Sequence, residues 1–225
     1  MSLSDKSSKE KSPVRARREE EKEQRRLTLI KAAERIVAKR GWADTNFGEI
    51  AEATRLSRSL IYVYFPSKDD LLAALVDRAK KSLAQRFHQA VAEAKNGNDA
   101  VVRIGAAYYQ FSKEETFYFE LISQLDIVPS GGEEDPRKGP GQAFQECLEI
   151  LAESLKRGLQ DGSVSKTIGD PKFAAFSLYA FTHGLIQVAS RRPKMIQGLY
   201  RKSPDEAFED GMRLLNRAIA VKKTE

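Results

Sequence analysis

Two short helices between two longer ones are predicted for residues 46–72, and this pattern constrains the fold more than any other feature of the sequence. Polar side chains that commonly begin helices occur there three times: Asn46 with Glu49, Ser57, and Ser67 with Asp70. We expect short helices over 47–54 and 58–64, the second ended by Pro66, and then a long helix toward Lys95. Such a pair of short helices forms a helix-turn-helix, although it could also occur in any helical bundle.

The remaining sequence is also patterned for helices, so we expect an all-α fold with nine helices. Apolar residues recur at spacings of three and four, and polar caps precede several of these stretches. The six further predicted helices span 18–40, 98–112, 114–127, 142–160, 171–190 and 204–221. A loop rich in glycine, proline and charge is expected over 128–141. No stretch alternates polar and apolar residues for long enough to predict a strand.

Positive charge is concentrated toward the N-terminal end of the chain. The net charge is +6, and Lys and Arg exceed Asp and Glu by five in residues 1–80 but by only one in residues 81–225. A basic region attracts a polyanion, and nucleic acid is the obvious one. We expect residues 1–17 to form a disordered basic arm. Such an arm either reaches the minor groove or nearby phosphates of DNA, or only keeps the protein soluble.

The sequence offers no site for enzyme chemistry, metal binding or membrane insertion. Cys147 has no partner for an intrachain disulfide, and His88 and His183 are too far apart in sequence for a metal cluster. No glycine-rich nucleotide motif and no cluster of nucleophile, base and orienting group is found. No apolar run reaches the roughly 20 residues that span a membrane, and the first residues lack a signal-peptide core. We therefore expect a soluble cytoplasmic protein that is not an enzyme and uses no cofactor or metal.

The segment from Arg26 to Leu72 resembles the tetracycline-repressor family of bacterial transcription regulators. The matching pieces are, in order, AAERIVAKRGWADTN, GEIAEA and LSRSLIYVYFPSKDDL. Two positions depart from glycines that are usual in the family: Arg55 in the turn between the short helices, and Ser59 early in the second one. We expect Arg55 to adopt a positive φ at some energetic cost.

This resemblance implies a nine-helix fold in three parts. They are a basic arm over 1–22, a DNA-binding domain over 23–83 with the helix-turn-helix at 46–65, and a ligand-binding and dimerisation domain over 84–225. It implies a homodimeric repressor that a small-molecule effector releases from a palindromic operator in double-stranded DNA. The alternatives are a regulator that acts with a protein partner and without a ligand, and an all-helical enzyme. An open central cavity would favour the repressor that a ligand releases, and a filled cavity would favour the regulator that acts without a ligand.

The resemblance also places the second short helix in the major groove of DNA. Residues expected to contact bases are Ser57, Arg58, Ser59, Leu60 and Val63. Arg58 can donate two hydrogen bonds to a guanine, whereas Leu60 and Val63 suit contact with thymine methyl groups. Residues expected to contact phosphates are Thr45, Asn46, Tyr62, Tyr64 and Lys68. For the two tyrosines, the alternative is packing in the protein core.

Ligand and dimer sites are implied for the later helices. The pocket candidates come from a stretch rich in aromatic residues and are Tyr108, Phe111, Phe119, Gln124, Phe144, Tyr179 and His183. These surroundings suit an apolar or aromatic ligand, although most of these rings would serve equally well as core. Dimer contacts are expected through the last two helices at Phe181, Leu185, Ile186, Val188, Leu214 and Leu215. The long helix that begins at Lys68 is expected to transmit ligand binding to the DNA-binding helices.

Overall fold

A computed structural model describes residues 13–125 and 141–221 and shows an all-α protein. Within these ranges there are ten α-helices and no strand, apart from an isolated bridge between Val164 and Ala220. The helices are α1 (Pro13–Arg40), α2 (Phe47–Thr54), α3 (Arg58–Tyr64), α4 (Lys68–Ala92), α5 (Gly97–Glu114), α6 (Thr116–Leu125), α7 (Gly141–Asp161), α8 (Pro171–Arg191), α9 (Pro193–Tyr200) and α10 (Pro204–Ile219). A short 3-10 helix spans Lys166–Ile168. None of the described helices has the length and hydropathy needed to cross a membrane.

The chain divides into two compact units between Leu75 and Val76, inside α4. The first unit contains α1 to α3 and the beginning of α4. Its buried apolar side chains include Leu29, Ala33, Ile50, Ile61, Phe65 and Leu71. Helices α2 and α3 have the predicted bounds, and they bury Phe47, Gly48, Ile50 and Ala51 of α2 and Ile61 of α3. The helix-turn-helix is therefore confirmed as a structural motif.

The second unit packs α5, α7, α8 and α10 around one apolar core. Helices α5 and α7 approach so closely that a Cβ at Gly97 would lie 2.0 Å from the backbone nitrogen of Gly158. No side chain fits at that distance, so a glycine at position 97 is needed for the two helices to meet there. The largest fully buried side chains of this core include Phe87, Tyr108 and Phe111.

Two long helices, α4 and α10, begin at capping boxes, the first of them at the predicted pair Ser67 and Asp70. At α4, the backbone N–H of Asp70 donates to Ser67 Oγ at 3.1 Å, and the backbone N–H of Ser67 donates to Asp70 Oδ2 at 2.9 Å. At α10, Ser203 and Glu206 form the same reciprocal pair, at 3.2 Å and 2.7 Å. Each box satisfies backbone donors that the first turn of a helix leaves without an intrahelical acceptor.

Helix α1 begins earlier than predicted, so the second half of the predicted arm is helical and not disordered. Ion pairs four residues apart join Arg15 to Glu19 at 3.7 Å and Arg17 to Glu21 at 3.2 Å. Such pairs, and the high helix propensity of Arg, Glu, Lys and Gln, stabilise this first part of α1, which has no apolar face. The rest of the arm, residues 1–12, lies outside the described residues.

Two other helix starts differ from the prediction. Helix α5 begins at Gly97, because Asn96 and not the predicted Asn98 accepts the capping hydrogen bond. The side chain of Asn98 instead donates to Asn216 at 2.9 Å. Helix α9 was not predicted at all, which raises the count in the described ranges from nine to ten. Its start gives no polar signal, since the preceding Arg192 makes no side-chain capping bond.

Candidate nucleic-acid interface

A left-handed residue holds the turn between α2 and α3, as the sequence predicted. Arg55 has φ 56° and ψ 33°. The backbone N–H of Leu56 donates to the Ala51 carbonyl at 3.1 Å, and that of Arg55 donates to the Glu52 carbonyl at 3.2 Å. These hydrogen bonds satisfy the last carbonyls of α2 and fix the direction in which the chain enters α3.

The start of α2 is fixed by Asn46, which belongs to the residues predicted to contact DNA. Its Oδ1 accepts hydrogen bonds from the backbone N–H groups of Gly48 at 2.9 Å and Glu49 at 3.1 Å. The carboxylate of Glu49, predicted to complete a capping box, pairs with the guanidinium of Arg40. Because Oδ1 is used as the cap, the amide nitrogen is the end of Asn46 that suits a phosphate.

Helix α3 presents the predicted base-contacting residues on an accessible surface. Ser57 Oγ caps the helix by accepting from the N–H of Leu60 at 3.2 Å, and it lies 3.0 Å from the hydroxyl of Ser59. Arg58 and Ser59 are exposed, and Leu60 is half-buried. Val63 is 68% exposed, although it is apolar. The apolar surface of Val63 is therefore available for contact with a partner.

Neither tyrosine of α3 is a fully buried core residue. Tyr62 is 54% exposed, and the edge of its ring packs on Phe47 with the ring centroids 5.0 Å apart. Phe47 is buried at the start of α2, so this contact holds Tyr62 of α3 against α2. Tyr64 is half-buried. Both side chains therefore keep accessible surface, which a phosphate contact requires.

The Arg58 side chain packs on Gly48 near the beginning of α2, and Gly48 was not predicted as part of the site. A Cβ at Gly48 would lie 2.1 Å from Nη2 of Arg58, so the missing side chain makes room for the guanidinium. An arginine supported in this way loses less conformational freedom when it binds. A glycine inside a short helix does not reveal from sequence which side chain will pack on it, and Gly48 was missed for that reason.

The loop before α2 corrects one predicted DNA contact. Thr45 is 3% exposed, its Oγ1 donates to the Gly41 carbonyl at 2.8 Å, and its N–H donates to the Trp42 carbonyl at 3.2 Å. Both of its donors are used inside the protein, so Thr45 supports the loop and does not offer a phosphate contact. Lys68 also binds this loop, since Nζ donates to the Ala43 carbonyl at 3.1 Å and lies 4.8 Å from the centroid of the Trp42 ring.

Five of the seven predicted pocket residues come together in the second unit. They are Tyr108, Phe111, Phe119, Tyr179 and His183. The hydroxyl of Tyr108 lies 2.6 Å from Nδ1 of His183 and donates to the hydroxyl of Tyr179 at 3.2 Å. Phe87 makes an edge contact with Tyr108 at 6.0 Å between centroids, but it precedes the aromatic-rich stretch and was not predicted. The result is a buried aromatic cluster with a small polar centre.

The space next to this aromatic cluster is nearly filled. The cavity between α5, α7, α8 and α10 has a volume of about 20 Å³, which is room for roughly one water molecule. The end of the Met212 side chain takes the space that Gly105 leaves, where a Cβ would lie 2.3 Å from Met212 Cε. In the described part of the second unit, the predicted pocket residues therefore form packed core and line no open cavity. The side chains of Gln124 and Phe144 lie outside the described residues.

Exposed apolar side chains are numerous on α8, α9 and α10. They are Phe173, Phe176, Phe181, Val188, Met195, Leu199, Tyr200 and Leu214. The three helices surround a groove of about 360 Å³, lined in part by Leu185, Val188 and Ile196. Two predicted dimer contacts need correction: Ile186 is 0% exposed, and Leu215 is also buried in its own subunit. A side chain that is already covered gains no contact area from a partner, so neither belongs to an interface.

The sequence contains one cysteine, and it is not a reactive group. Cys147 is buried, and desolvation raises its pKa to about 12, so the thiol stays protonated and unreactive at neutral pH. The described part of the chain holds no group of three or more His, Cys, Asp or Glu side chains suited to a metal ion.

Comparisons with known proteins agree with this geometry. Residues 29–75, which include α2 and α3, match the family described as bacterial regulatory proteins, tetR family. The HTH-type transcriptional regulator TtgR of Pseudomonas putida is 36% identical over 183 residues, which cover 76% of this chain and 82% of TtgR.

Solved structures of two further proteins have the same fold. AibR in complex with isovaleryl coenzyme A and operator DNA has a TM-score of 0.62 at 17% identity, covering 84% of this chain and 97% of that one. SmeT, the repressor of the Stenotrophomonas maltophilia multidrug efflux pump SmeDEF, has a TM-score of 0.63 at 20% identity, covering 88% and 91%. A SmeT–triclosan complex is similar to the same degree, with a TM-score of 0.62 at 18% identity, covering 88% and 92%. The helix-turn-helix, the helical second unit and these similarities show that the chain belongs to the tetR family of bacterial transcriptional regulators.

Proposed function

We propose that the protein is a repressor that binds a palindromic operator as a homodimer and leaves it when a small apolar or aromatic ligand binds. The observation that carries the DNA-binding part is the accessible face of α3. A capped, seven-residue helix holds Arg58, Ser59 and Val63 in the open, while Ile61 and Phe65 are buried beneath it. Only the major groove of B-form DNA is wide enough to accept such a helix.

Base contacts follow from the chemistry of this face. Arg58 donates two hydrogen bonds to O6 and N7 of a guanine, and Ser59 is a short donor or acceptor for a neighbouring base. Val63 and the accessible part of Leu60 contact thymine methyl groups. Because Ser59 stands where relatives usually have glycine, the base preference is expected to differ from theirs.

Phosphate contacts surround this face. The amide nitrogen of Asn46 and the hydroxyls of Tyr62 and Tyr64 donate to phosphate oxygens. Lys68 keeps donors for a phosphate as well, since an ammonium group has three N–H bonds and the Ala43 carbonyl takes one of them. Lys68 also orders the loop that carries Asn46. Removing Lys68 should therefore weaken DNA binding by the loss of a phosphate contact and by the loosening of this loop.

Dimerisation is proposed through α8, α9 and α10. One helix-turn-helix touches only a few base pairs, so useful affinity requires two copies related by a two-fold axis. The exposed Phe181, Val188 and Leu214 supply an apolar surface for this purpose, and Leu199 and Tyr200 of the unpredicted α9 extend it. Large apolar patches on a soluble protein commonly mark such interfaces.

The aromatic cluster is proposed as the ligand site. AibR binds isovaleryl coenzyme A and SmeT binds triclosan, so related folds accept small molecules with apolar parts. In this chain, a flexible side chain, Met212, fills the gap beside Tyr108 and Tyr179, and movement of Met212 would open room for an apolar group. The hydroxyl of Tyr108 and the ring of His183 would then orient a polar atom of the ligand.

The filled cavity also favours a second function. A regulator that needs no ligand, and acts with a protein partner, would keep the cluster packed as it is in this structure. The two functions differ in whether a small molecule and the operator influence each other's binding. Coupling between two sites is reciprocal, so operator DNA must weaken ligand binding by the same factor by which the ligand weakens operator binding.

The test begins with the operator, which wild-type protein enriches from a library of random-sequence duplexes. Triclosan and isovaleryl coenzyme A are then titrated by calorimetry into the protein with and without saturating operator. We expect an inducer to bind on the order of 5–150-fold more weakly when operator is present. Tyr108→Phe, which keeps the ring and removes the hydroxyl, should change the ligand affinity and leave the enriched operator sequence unchanged. Equal ligand affinities in the two titrations would favour the ligand-independent function.

A further inference from the structure

Helix α1 carries a line of basic side chains that leads away from the core of the first unit. Arg15, Arg18, Lys22 and Arg26 follow one another at steps of three and four residues, so they lie on one side of the helix. Arg25, three residues after Lys22, lies beside this line. All are exposed except Arg26, which is half-buried. We call these five residues the basic line.

The basic line continues the face by which α1 packs in its own unit. The next positions at the same spacing are Leu29, Ala33 and Val37, and all three are buried. An unbroken helix keeps such positions on one side. The basic line therefore lies on the side of α1 that carries Leu29, Ala33 and Val37, which is the side that packs against the other helices of the first unit.

A contact between two side chains places the end of this line beside the DNA-binding helix. The guanidinium carbon of Arg26 lies 5.4 Å from the centroid of the Phe65 ring. Phe65 directly follows the last residue of α3 and precedes Lys68 by three positions. The Arg26 end of the basic line thus lies next to the C-terminal end of α3.

Few ion pairs between described residues engage the basic line, although the glutamates at 19–21 and 23 are interleaved with it in sequence. Arg15 pairs with Glu19 at 3.7 Å and Arg26 with Glu23 at 3.8 Å, both on the surface. Within the described part of the chain, Arg18, Lys22 and Arg25 take part in no ion pair. Exposed ion pairs contribute little stability, so even the paired arginines can exchange a carboxylate for a phosphate at small cost.

We infer that the basic line binds the phosphate backbone of DNA beside the bases that α3 contacts. This inference rests on the proposed operator binding and adds a second, sequence-independent contact to it. From Arg15 to Arg26 the helix rises about 17 Å. One strand carries a phosphate for every 3.4 Å or so of duplex, so the line can face about five of them. A membrane surface is a poorer partner, because interfacial helices need a broad apolar face and the exposed part of α1 offers only Val14 as a large apolar side chain.

The test compares two triple variants of the full-length protein that lose the same charge from opposite sides of α1. R15Q/R18Q/K22Q removes three charges from the basic line. R17Q/K31Q/R35Q removes three from exposed positions on the other side. Glutamine is a good helix former, so both variants should keep the thermal melting curve of the wild type.

Affinity is measured between 50 and 200 mM salt for the enriched operator and for a random-sequence duplex of 40 base pairs. Each lost phosphate contact lowers the slope of log affinity against log salt by about 0.9. Over this range, the wild type should lose about 40-fold more affinity than R15Q/R18Q/K22Q on both duplexes. R17Q/K31Q/R35Q should keep the slope of the wild type, and R15K/R18K/K22R should restore it.

Several outcomes would overturn the inference. A wild-type slope for R15Q/R18Q/K22Q, or an equal loss of slope in both triple variants, would show that this side of α1 makes no phosphate contacts. Loss of binding to phosphatidylglycerol vesicles with an unchanged slope on DNA would assign the basic line to a membrane. If the wild type enriches no sequence, the proposed operator fails, while the slopes on the random duplex still decide whether α1 binds phosphates.

Discussion

The face of α3 and the aromatic cluster around Tyr108 were both selected from sequence as functional, yet the structure builds them in opposite ways. On α3, caps and a left-handed turn hold a short helix so that Val63 remains 68% exposed. In the second unit, the rings of the aromatic cluster pack closely against one another, and Phe111 is 0% exposed. A surface for a large, rigid polymer must be accessible beforehand, whereas a small-molecule site inside a core can be closed until the ligand opens it.

Truncation of a buried ring should lower the free energy of unfolding far more than truncation of an exposed side chain on α3. Phe111→Ala should lower the free energy of unfolding by about 3–5 kcal/mol, because it removes a large buried ring and leaves a cavity. Val63→Ala should change the same free energy by less than about 0.5 kcal/mol, since the side chain is exposed. Urea unfolding measures both changes. Only Val63→Ala should then weaken operator binding among well-folded variants, and a large loss of stability from it would contradict the assignment.

Dimerisation tests the second exposed surface. Leu214→Glu places a charge on an apolar side chain that is 65% exposed in one subunit and proposed to be buried by the partner. An unpaired buried charge costs about 3–5 kcal/mol, so the dimer should dissociate at micromolar concentration. Sedimentation equilibrium gives the molar mass directly. Glu209→Lys lies on the opposite side of α10, and this control should leave the dimer intact. A stable Leu214→Glu dimer would move the interface elsewhere.

The smallest effect concerns the turn. Arg55 has a positive φ, and glycine adopts this conformation without the strain of a Cβ. Relief of strain and the extra backbone entropy of glycine in the unfolded chain act in opposite directions, so Arg55→Gly should stabilise the protein by no more than about 1 kcal/mol. Thermal unfolding would show this as a slight rise in melting temperature. A loss of several degrees would mean that the Arg55 side chain makes a stabilising contact.

Local signals explain which helix starts could be predicted from the sequence. Ser57, Ser67 and Ser203 lie at helix starts because a short hydroxyl side chain satisfies a nearby backbone N–H, and that chemistry depends only on residues a few positions away. Helix α9 lacks such a signal, since Arg192 does not cap it. The charged start of α1 has no apolar face, so its sequence predicts an arm and not a helix.

Packing between distant residues explains what the sequence could not reveal. Helix α8 is apolar nearly all round, so its sequence does not show that Ile186 turns inward while Val188 remains exposed. The filling of the central cavity depends on Met212 of α10 meeting Gly105 of α5, a contact across more than a hundred residues. The role of Gly48 beneath Arg58 and the two internal hydrogen bonds of Thr45 are equally invisible before the chain is folded.

Selection of DNA sequence by α3 is proposed to depend on Arg58, and operator enrichment with single variants measures this dependence. Wild type, Arg58→Ala and Lys68→Ala are each used to enrich operators from the same random-duplex library. We expect Arg58→Ala to lose the preference for a guanine at one position of each half-site, at a cost of about 1–3 kcal/mol per half-site. Lys68→Ala should bind all sequences more weakly and enrich the wild-type sequence. An Arg58→Ala library with the same consensus as the wild type would contradict this dependence.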